Sequence, residues 1–557
     1  MLRDPDTRAA AVRERLCSGG VIANRDAVRF GRRSLTASAG IGLMLVALAT
    51  GGCGGGTTSA ATSSQAGSDG TPAAGGPKRP LTIGLTSGGA SLNPAKDGAG
   101  MSQVVRALTN APIIHIAPDG TFKAGGPALA TSFRYVGQGN KTFEFKLRSD
   151  ARFSDGTPVT AAAVKKWLTY FPTENGPYAG QFDFSSIDAK DDATVVLHFA
   201  KPNPIAPWLL SEVLNWGAVS SPKAVANPKS LEKTPVGAGP YVFVPSQSVS
   251  NDHWTLIPNK YYWDQKAIRF SKITVRIIVN PSSMLQALKT GQLDAAQGDV
   301  TTAASAKSAA TVLFKPSGWN GLAFMDLAGK KVKPIADLRV RQAINYAIDR
   351  DAITKGLFAS FATASSAPIT RDGWDASLQN AYPNDPAKAK SLLAAAGYPK
   401  GFSMRVADFG GLVGTQGDQL IQAVAKYLGQ IGIKLQVEPV TTGAQVVSKA
   451  YGGDYAVAQT IDGDNPMSFL MNAHFVPKGV VNPFSAKDPA LDKLQDKASA
   501  AADPAPILKQ MTRRIVSQAY FAPVILYPTL WYVTDKIGGV DWSGPGFAPF
   551  ATAWFPK

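Results

Sequence analysis

The sequence predicts an α/β protein with more than one lobe. Segments in which apolar and polar residues alternate are typical of half-buried strands, and they occur at 81–85, 142–147 and 274–279. Segments with apolar residues at helical spacing alternate with them, at 161–170, 282–290, 338–358, 386–396 and 417–431. Together these patterns extend over about 475 residues, which exceeds the usual size of one domain.

The N-terminal segment has the order of an export signal. Arg32 and Arg33 precede an apolar run at 37–50, and small residues then lead to Cys53. The run is shorter than the roughly 18–20 residues that a membrane-spanning helix needs, and it suits the apolar region of a signal peptide. Residues 1–52 are therefore predicted to be a signal peptide with an extended n-region, exported by the Sec or the twin-arginine route.

Cys53 is predicted to carry a lipid anchor. The sequence Thr50-Gly51-Gly52-Cys53 resembles a bacterial lipobox, with Thr50 where a leucine is usual. The alternative is an ordinary signal peptide that is cut near Gly52 and leaves Cys53 free. Because Cys17, the other cysteine, lies upstream, the mature chain can form no internal disulfide. We expect a protein outside the cytoplasm, anchored to the outer face of the cytoplasmic membrane or periplasmic.

Residues 53–79 are predicted to be a lipid-anchored flexible linker. They are rich in Gly, Ser, Thr and Ala and hold almost no large apolar side chains. Such a segment cannot bury enough surface to order itself, and as a coil it would reach about 25–30 Å. The linker would let the folded part reorient over the membrane.

The chain is basic, with a formal net charge of +17 at pH 7. Residues 1–52 hold eight arginines and four acidic residues, so their removal lowers the charge to +13. Basic charge attracts anionic surfaces. The lysines are scattered and form no dense block, so the sequence indicates a solvated face near an anionic membrane or wall and not nucleic-acid binding.

Motifs for catalysis or cofactor binding are missing from the sequence. The four histidines show no metal-binding spacing, and neither a phosphate-binding loop nor a nucleophile elbow occurs. Gly237-Ala238-Gly239 leads into a predicted strand, so no helix N-terminus is offered to a phosphate. The sequence therefore predicts a binding protein with no cofactor and no metal, rather than an enzyme.

Three tryptophans are candidates for a binding pocket. They are Trp319, Trp374 and Trp531. Each lies in a segment bounded by Gly or Pro, which makes it a better candidate for a pocket than the other tryptophans. The remaining tryptophans are expected to be mainly core residues, because large rings bury much apolar area.

From Leu81 to its end, the chain resembles the family 5 extracellular solute-binding proteins, the oligopeptide, dipeptide and nickel-binding group of ABC importers. The resemblance rests on several motifs that follow one another in the family's order. They include PALATSF, FEFKLR, FSDGTPVTA, VGAGPY, NKYYW, DLRVRQA and DPAKA, at 127–133, 143–148, 153–161, 236–241, 259–263, 337–343 and 385–389. Any one motif is weak, but their number and order make the signal specific.

The resemblance implies a two-lobed, periplasmic-binding-protein-like clamp of type II, with an extra subdomain in lobe I. Lobe I is expected at 81–318 together with 526–557, and lobe II at 319–525. A ligand would lie in the cleft between the lobes, and the closed form would dock on membrane permease subunits. The protein is expected to act as a monomer.

The resemblance also suggests where a ligand binds. The family's peptide binders carry an Asp that pairs with the peptide ammonium, and here Asp462 stands at that position while Asn465 replaces a second Asp. The alternative is that Asp462 caps the helix that follows. Arg371, in the same loop as Trp374, is expected to meet a ligand carboxylate.

Two functions remain open at this stage. The first is the substrate-binding lipoprotein of an importer for peptides or a similar small polar solute. The second is a tethered sensor or interaction module of the envelope that keeps the fold without transport. Permease and ATPase genes beside this one would favour the first.

Overall fold

The computed structural model describes residues 78–88, 91–97, 102–117, 119–176, 178–410, 416–442, 445–477, 479, 481–540 and 554–556. The predicted signal peptide at 1–52, Cys53 and the predicted linker up to residue 77 lie outside the described residues. Within the described part of the chain, no helix is both long and apolar enough to cross a membrane.

The strands are numbered here along the described residues. They are β1 (Leu81–Leu85), β2 (His115–Ile116), β3 (Phe122–Lys123), β4 (Ala130–Tyr135), β5 (Thr142–Leu147), β6 (Phe184–Ala189), β7 (Thr194–Phe199), β8 (Tyr241–Phe243), β9 (His253–Pro258), β10 (Ile273–Ile277), β11 (Ala295–Gln297), β12 (Thr311–Phe324), β13 (Thr363–Ala364), β14 (Phe402–Asp408), β15 (Ile433–Pro439), β16 (Val457–Gly463), β17 (Phe521–Val533), β18 (Ile537–Gly538) and β19 (Phe555–Pro556). Several of them, including β1 and β5, coincide with segments predicted from alternation.

The helices are likewise numbered along the described residues. They are α1 (Ser102–Thr109), α2 (Ala161–Tyr170), α3 (Ala206–Leu209), α4 (Pro222–Val225), α5 (Pro228–Leu231), α6 (Pro281–Lys289), α7 (Val300–Ala306), α8 (Leu338–Ala347), α9 (Arg350–Phe358), α10 (Pro386–Ala395), α11 (Gly417–Gly429), α12 (Met467–His474), α13 (Pro489–Ala500) and α14 (Ala505–Ser517). The intermixed strands and helices confirm the predicted α/β class.

One eleven-stranded sheet passes through both lobes. Its strand order is β15-β14-β16-β12-β17-β11-β1-β10-β9-β8, and β13 pairs with β17 beside this path. β1 pairs in parallel with β10 and with β11, and β14 pairs in parallel with β15. Parallel neighbours need long connections, which the intervening helices supply.

Two long antiparallel strands carry the chain from one lobe to the other. β12 has 14 residues and β17 has 13, and they pair from Thr311 opposite Val533 to Ala323 opposite Phe521. The second half of β12 also pairs with β16 of the second lobe, whereas the last residues of β17 pair with β11 of the first. The lobe boundaries expected at 318/319 and 525/526 stay predictions.

A separate four-stranded antiparallel sheet, in the order β4-β5-β7-β6, belongs to the first lobe. It has its own hydrophobic core, in which Phe143, Phe145, Trp167 and Trp216 are fully buried. This sheet corresponds to the extra subdomain that was expected in lobe I.

Helix ends follow the capping chemistry of the sequence. Thr160 accepts a hydrogen bond from the Ala163 amide at the start of α2, and Asp385 accepts one from the Lys388 amide at the start of α10. Gly397, just after α10, has a φ of +90°, a conformation that favours glycine. Thr and Asp are both favoured at a helix N-cap, so the sequence itself encodes where these two helices begin.

One predicted helix is in fact two. The segment 338–358 was expected to be continuous, but Ile348 adopts an extended conformation between α8 and α9. Asp349 then begins the second helix, because its side chain accepts a hydrogen bond from the Ala352 amide. Apolar periodicity persists across such a break, which explains the error.

Candidate functional site

The segment 462–466 comprises the last two residues of β16 and the three residues after them, at the place where the two lobes meet. Asp462 is opposite Trp319 of β12 and Gly463 is opposite Gly318, while the Asp464 amide donates to the Ser317 carbonyl at 2.8 Å. Backbone pairing therefore fixes this segment against the strand that joins the lobes.

Asp462 is partnered within the second lobe. Its Oδ2 lies 2.9 Å from Nε2 of His474, a buried residue at the end of α12, and its side chain is 26% exposed. Asp462 does not cap α12. That role belongs to Asp372, whose Oδ1 accepts a hydrogen bond of 2.7 Å from the Met467 amide. The alternative role weighed for Asp462 from the sequence is therefore wrong.

Arg371 forms hydrogen bonds that connect its loop to the segment 462–466. Its Nη1 donates to Oδ2 of Asp464 at 3.1 Å, and its amide donates to the Asn465 carbonyl at 3.0 Å. Burial lowers the pKa of the Arg371 guanidinium and raises the pKa of the Asp464 carboxyl, a shift that Arg371 itself opposes. The two groups form a half-buried ion pair, with side chains 18% and 16% exposed.

A cavity of about 370 Å³ lies between the lobes beside this ion pair. The first lobe contributes Asp119, Gly120, Phe122, Pro204, Ile205 and Trp208. The second lobe contributes Arg371, Asp372, Pro466, Ser468, Gln495, Ala498, Ser499, Pro504 and Leu508. The size is within the range of pockets for small molecules, and most of the lining is apolar with a few polar groups. We call it the interlobe cavity.

Three residues that line the interlobe cavity each hold a buried polar atom with no hydrogen-bond partner among the described residues: Nε1 of Trp208, Oγ of Ser468 and Oε1 of Gln495. Trp208 is 2% exposed. Buried polar groups are nearly always satisfied, since an unpaired one costs roughly 1–3 kcal/mol. Each atom is closed to solvent as it stands, so a bound polar solute or ordered water would become its partner only after the side chain turns toward the cavity.

Direct contacts join the lobes at the rim of the cavity. The rings of Trp208 and Phe469 meet edge to face at 5.2 Å between centroids. Asn140, in the turn after β4, donates from Nδ2 to the Ser499 carbonyl at 2.9 Å, near the end of α13. A Cβ placed on Gly120 would lie 3.3 Å from Nη2 of Arg371, so this guanidinium also reaches the first lobe.

The six ligand residues predicted from the sequence are spread over different environments. Arg371 lines the interlobe cavity, whereas Asp462 and Asn465 belong to the segment 462–466, of which Pro466 lines it. Trp374 is half-buried against the core of the second lobe. Trp319 and Trp531 are fully buried, the first against Phe521 and the second against Trp554. Both rings are core residues here, and a ligand could reach them only after a rearrangement.

The sequence reasoning missed most of the cavity. Trp208 belongs to the hydrophobic core of the first lobe, as the sequence suggested, and it also lines the cavity. Asp372, Ser468 and Gln495 carry no sequence signal that singled them out. No local pattern marks Gln495, which is one polar residue on an amphipathic helix. The Pro-bounded position of Trp208, after Pro204 and Pro207, was the one available signal.

The comparisons with known proteins point to one family. The model of the bacterial extracellular solute-binding proteins, family 5, matches residues 126–476. The glutathione-binding protein GsiB of Pectobacterium atrosepticum is 28% identical over 322 residues, which cover 57% of this chain and 61% of that protein. A putative ABC transporter peptide-binding protein of Brucella ovis is 27% identical over 398 residues, which cover 68% and 73%. The chain thus spans about three fifths of the length of the GsiB proteins it matches.

Solved structures share the fold. NikZ from Campylobacter jejuni, in complex with Ni(L-His), superposes with a TM-score of 0.71 at 21% identity, covering 86% of this chain and 100% of that one. OppA from Haemophilus influenzae, in complex with the peptide RPPGFSPFR, gives 0.69 at 20% identity, covering 86% and 99%. These likenesses confirm the two-lobed fold. Among the described residues of the present chain, no group of three or more His, Cys, Asp or Glu is placed to hold a metal ion.

Proposed function

Since the chain belongs to the bacterial extracellular solute-binding proteins of family 5, we propose that it is the substrate-binding lipoprotein of an ABC importer. It captures a peptide or a similar small polar solute between its lobes and delivers it to permease subunits in the membrane. The relatives named above are binding proteins, and the proposal assigns no catalysis to this chain.

The interlobe cavity carries this proposal. Its wall is built from both lobes, so a solute inside it contacts both at once and favours the closed arrangement over the open one. A small rotation of the side chains of Trp208, Ser468 and Gln495 would let their unpaired polar atoms form hydrogen bonds to such a solute. The strands β12 and β17 are the connections about which the lobes would turn.

The test of the cavity is the substitution Trp208→Phe. It removes the indole N–H but keeps an aromatic ring against Phe469, so the fold is retained. Binding of the tightest ligand from a screen of short peptides, amines and sugars should weaken about tenfold, as expected for one lost hydrogen bond in a buried site. Isothermal titration calorimetry measures the affinity. Thermal melting checks that the variant folds, with a somewhat lower midpoint expected because Phe fills less of the buried space than Trp does.

A matched control is Trp263→Phe. The indole of Trp263 donates to the Gly126 carbonyl at 3.3 Å and does not line the interlobe cavity, so this variant should bind as wild type does. An unchanged affinity in Trp208→Phe would contradict the cavity as the binding site. Failure of every solute in the screen to bind wild type would contradict solute capture itself.

The proposal includes a lipid anchor at Cys53, which would keep the protein near its permease and raise its effective concentration there. It also takes the mature protein to be an extracytoplasmic monomer. Family members are described as extracellular, which supports export. Mass spectrometry of the mature protein should find a diacylglyceryl group on Cys53, and Cys53→Ser should release the protein from the membrane fraction. An unmodified Cys53 would contradict the anchor without touching solute binding.

A further inference from the structure

The lining of the interlobe cavity has more acidic than basic side chains. Three ionisable side chains line it, and two of them, Asp119 and Asp372, are acidic. The third, Arg371, is already in an ion pair with Asp464 at 3.1 Å. Because Asp464 balances the guanidinium, the formal charge of the lining is negative, and burial raises the pKa of one of its two carboxyls, Asp372. Lys315 also acts on Asp464 but does not line the cavity.

The unpaired polar atoms define a complementary pattern of hydrogen bonds. The indole N–H of Trp208 can only donate, and Oε1 of Gln495 can only accept. Ser468 can do either. A peptide bond carries both a donor and an acceptor, so a peptide-like solute can offer a partner to either kind of atom once the side chain turns toward it. Phe122, Ile205 and Leu508 supply apolar walls for the rest of the solute.

We propose that the interlobe cavity selects peptide-like amides that are neutral or positively charged and rejects those with a net negative charge. This inference rests on the proposed function, because it presumes that the cavity holds the transported solute. It differs from the expectation that Arg371 meets a ligand carboxylate. The sequence could not show that the Arg371 guanidinium is already paired with the Asp464 carboxylate.

A set of three tripeptides tests this selection. Ala-Lys-Ala, Ala-Gln-Ala and Ala-Glu-Ala carry net charges of about +1, 0 and −1 at pH 7, and the last two are nearly equal in size. Calorimetry on wild-type protein should give affinities for the first two that exceed the affinity for Ala-Glu-Ala by about tenfold, the effect of one unfavourable charge contact. The difference should shrink as salt concentration rises.

The substitution Asp464→Asn tests the role of the ion pair. It keeps the size of the side chain but frees the Arg371 guanidinium for a ligand carboxylate, so the preference for Ala-Gln-Ala over Ala-Glu-Ala should disappear or reverse. Asp375→Asn is the matched control. Asp375 also accepts from an arginine, Arg513, at 2.9 Å, but it does not line the cavity, so the preference should stay as in wild type. Thermal melting of both variants checks that they fold.

The outcomes separate this inference from the proposed function. Equal binding of all three peptides, or tightest binding of Ala-Glu-Ala, would overturn charge selection and leave solute capture intact. An unchanged preference in a folded Asp464→Asn protein would overturn the role given to the Arg371–Asp464 pair. If wild type binds none of the three peptides, the inference fails together with peptide capture.

Discussion

Gly318→Ala should lower the free energy of unfolding by about 3 kcal/mol or more, because the added methyl group has no space. A Cβ at Gly318 would lie 2.2 Å from the Asp462 carbonyl oxygen and 2.6 Å from the ring of Tyr527. The first of these is backbone of the neighbouring strand, which cannot turn aside as a flexible side chain does. The pairing of β12 with β16 and β17 would have to shift, and the segment 462–466 would move with it.

Denaturant unfolding measures this loss, and solute binding should weaken as well. The matched control is Gly356→Ala in α9, where no atom lies within 4 Å of the added Cβ. There alanine should raise the free energy of unfolding by about 0.5–1 kcal/mol, since it favours the helix more than glycine does. Equal stability of the Gly318→Ala and wild-type proteins would show that the strands at this junction can separate without cost.

Arg350→Met should destabilise the protein by about 3–5 kcal/mol, because the substitution leaves several buried acceptors unpaired. The Arg350 guanidinium donates to the Pro523 carbonyl at 2.7 Å, to the Asn345 carbonyl and side chain at 2.8 Å each, and to the Tyr382 carbonyl at 3.1 Å. It therefore joins the end of α8 to β17 and to the loop before α10. Burial lowers the pKa of this guanidinium.

The control for Arg350 is Arg339→Met. Arg339 belongs to the same part of the second lobe, but its side chain is exposed and pairs with Asp337 at the surface. Its removal should change the free energy of unfolding by less than about 1 kcal/mol. Similar losses in the two variants would contradict the assignment of Arg350 as a buried connector, and denaturant titrations followed by circular dichroism distinguish the cases.

The fold was largely predictable because its elements are locally encoded. The segments 81–85, 142–147 and 161–170 match β1, β5 and α2 to the residue, since alternation and helical spacing reflect burial on one face. The caps at Thr160 and Asp385 were also local signals. Where local signals were ambiguous, as at Ile348 between α8 and α9, the prediction failed.

The site was less predictable because its parts are distant in the sequence. Trp208 and Gln495 lie on different lobes, and only the tertiary arrangement brings them to one cavity. Trp319 and Trp531 have the same Gly- and Pro-rich flanks that suggested a pocket for Trp374. Both are nevertheless core residues, because Trp319 packs against Phe521 and Trp531 against Trp554. Local composition does not distinguish these cases.

The sheet that passes through both lobes also sets the order in which a newly made chain can finish folding. β11 and β12 both pair with β17, so neither pairing can form before β17 has been made. Likewise, the Thr534 hydroxyl donates to the carbonyl of Asp294, 240 residues earlier in the chain. Until the last part of the chain has emerged on the far side of the membrane, each lobe retains an open sheet edge that could pair with another chain. Neither lobe can therefore complete its sheet without β17. Pairing of β17 completes the sheet in both lobes, which makes folding late, slow and dependent on long-range contacts.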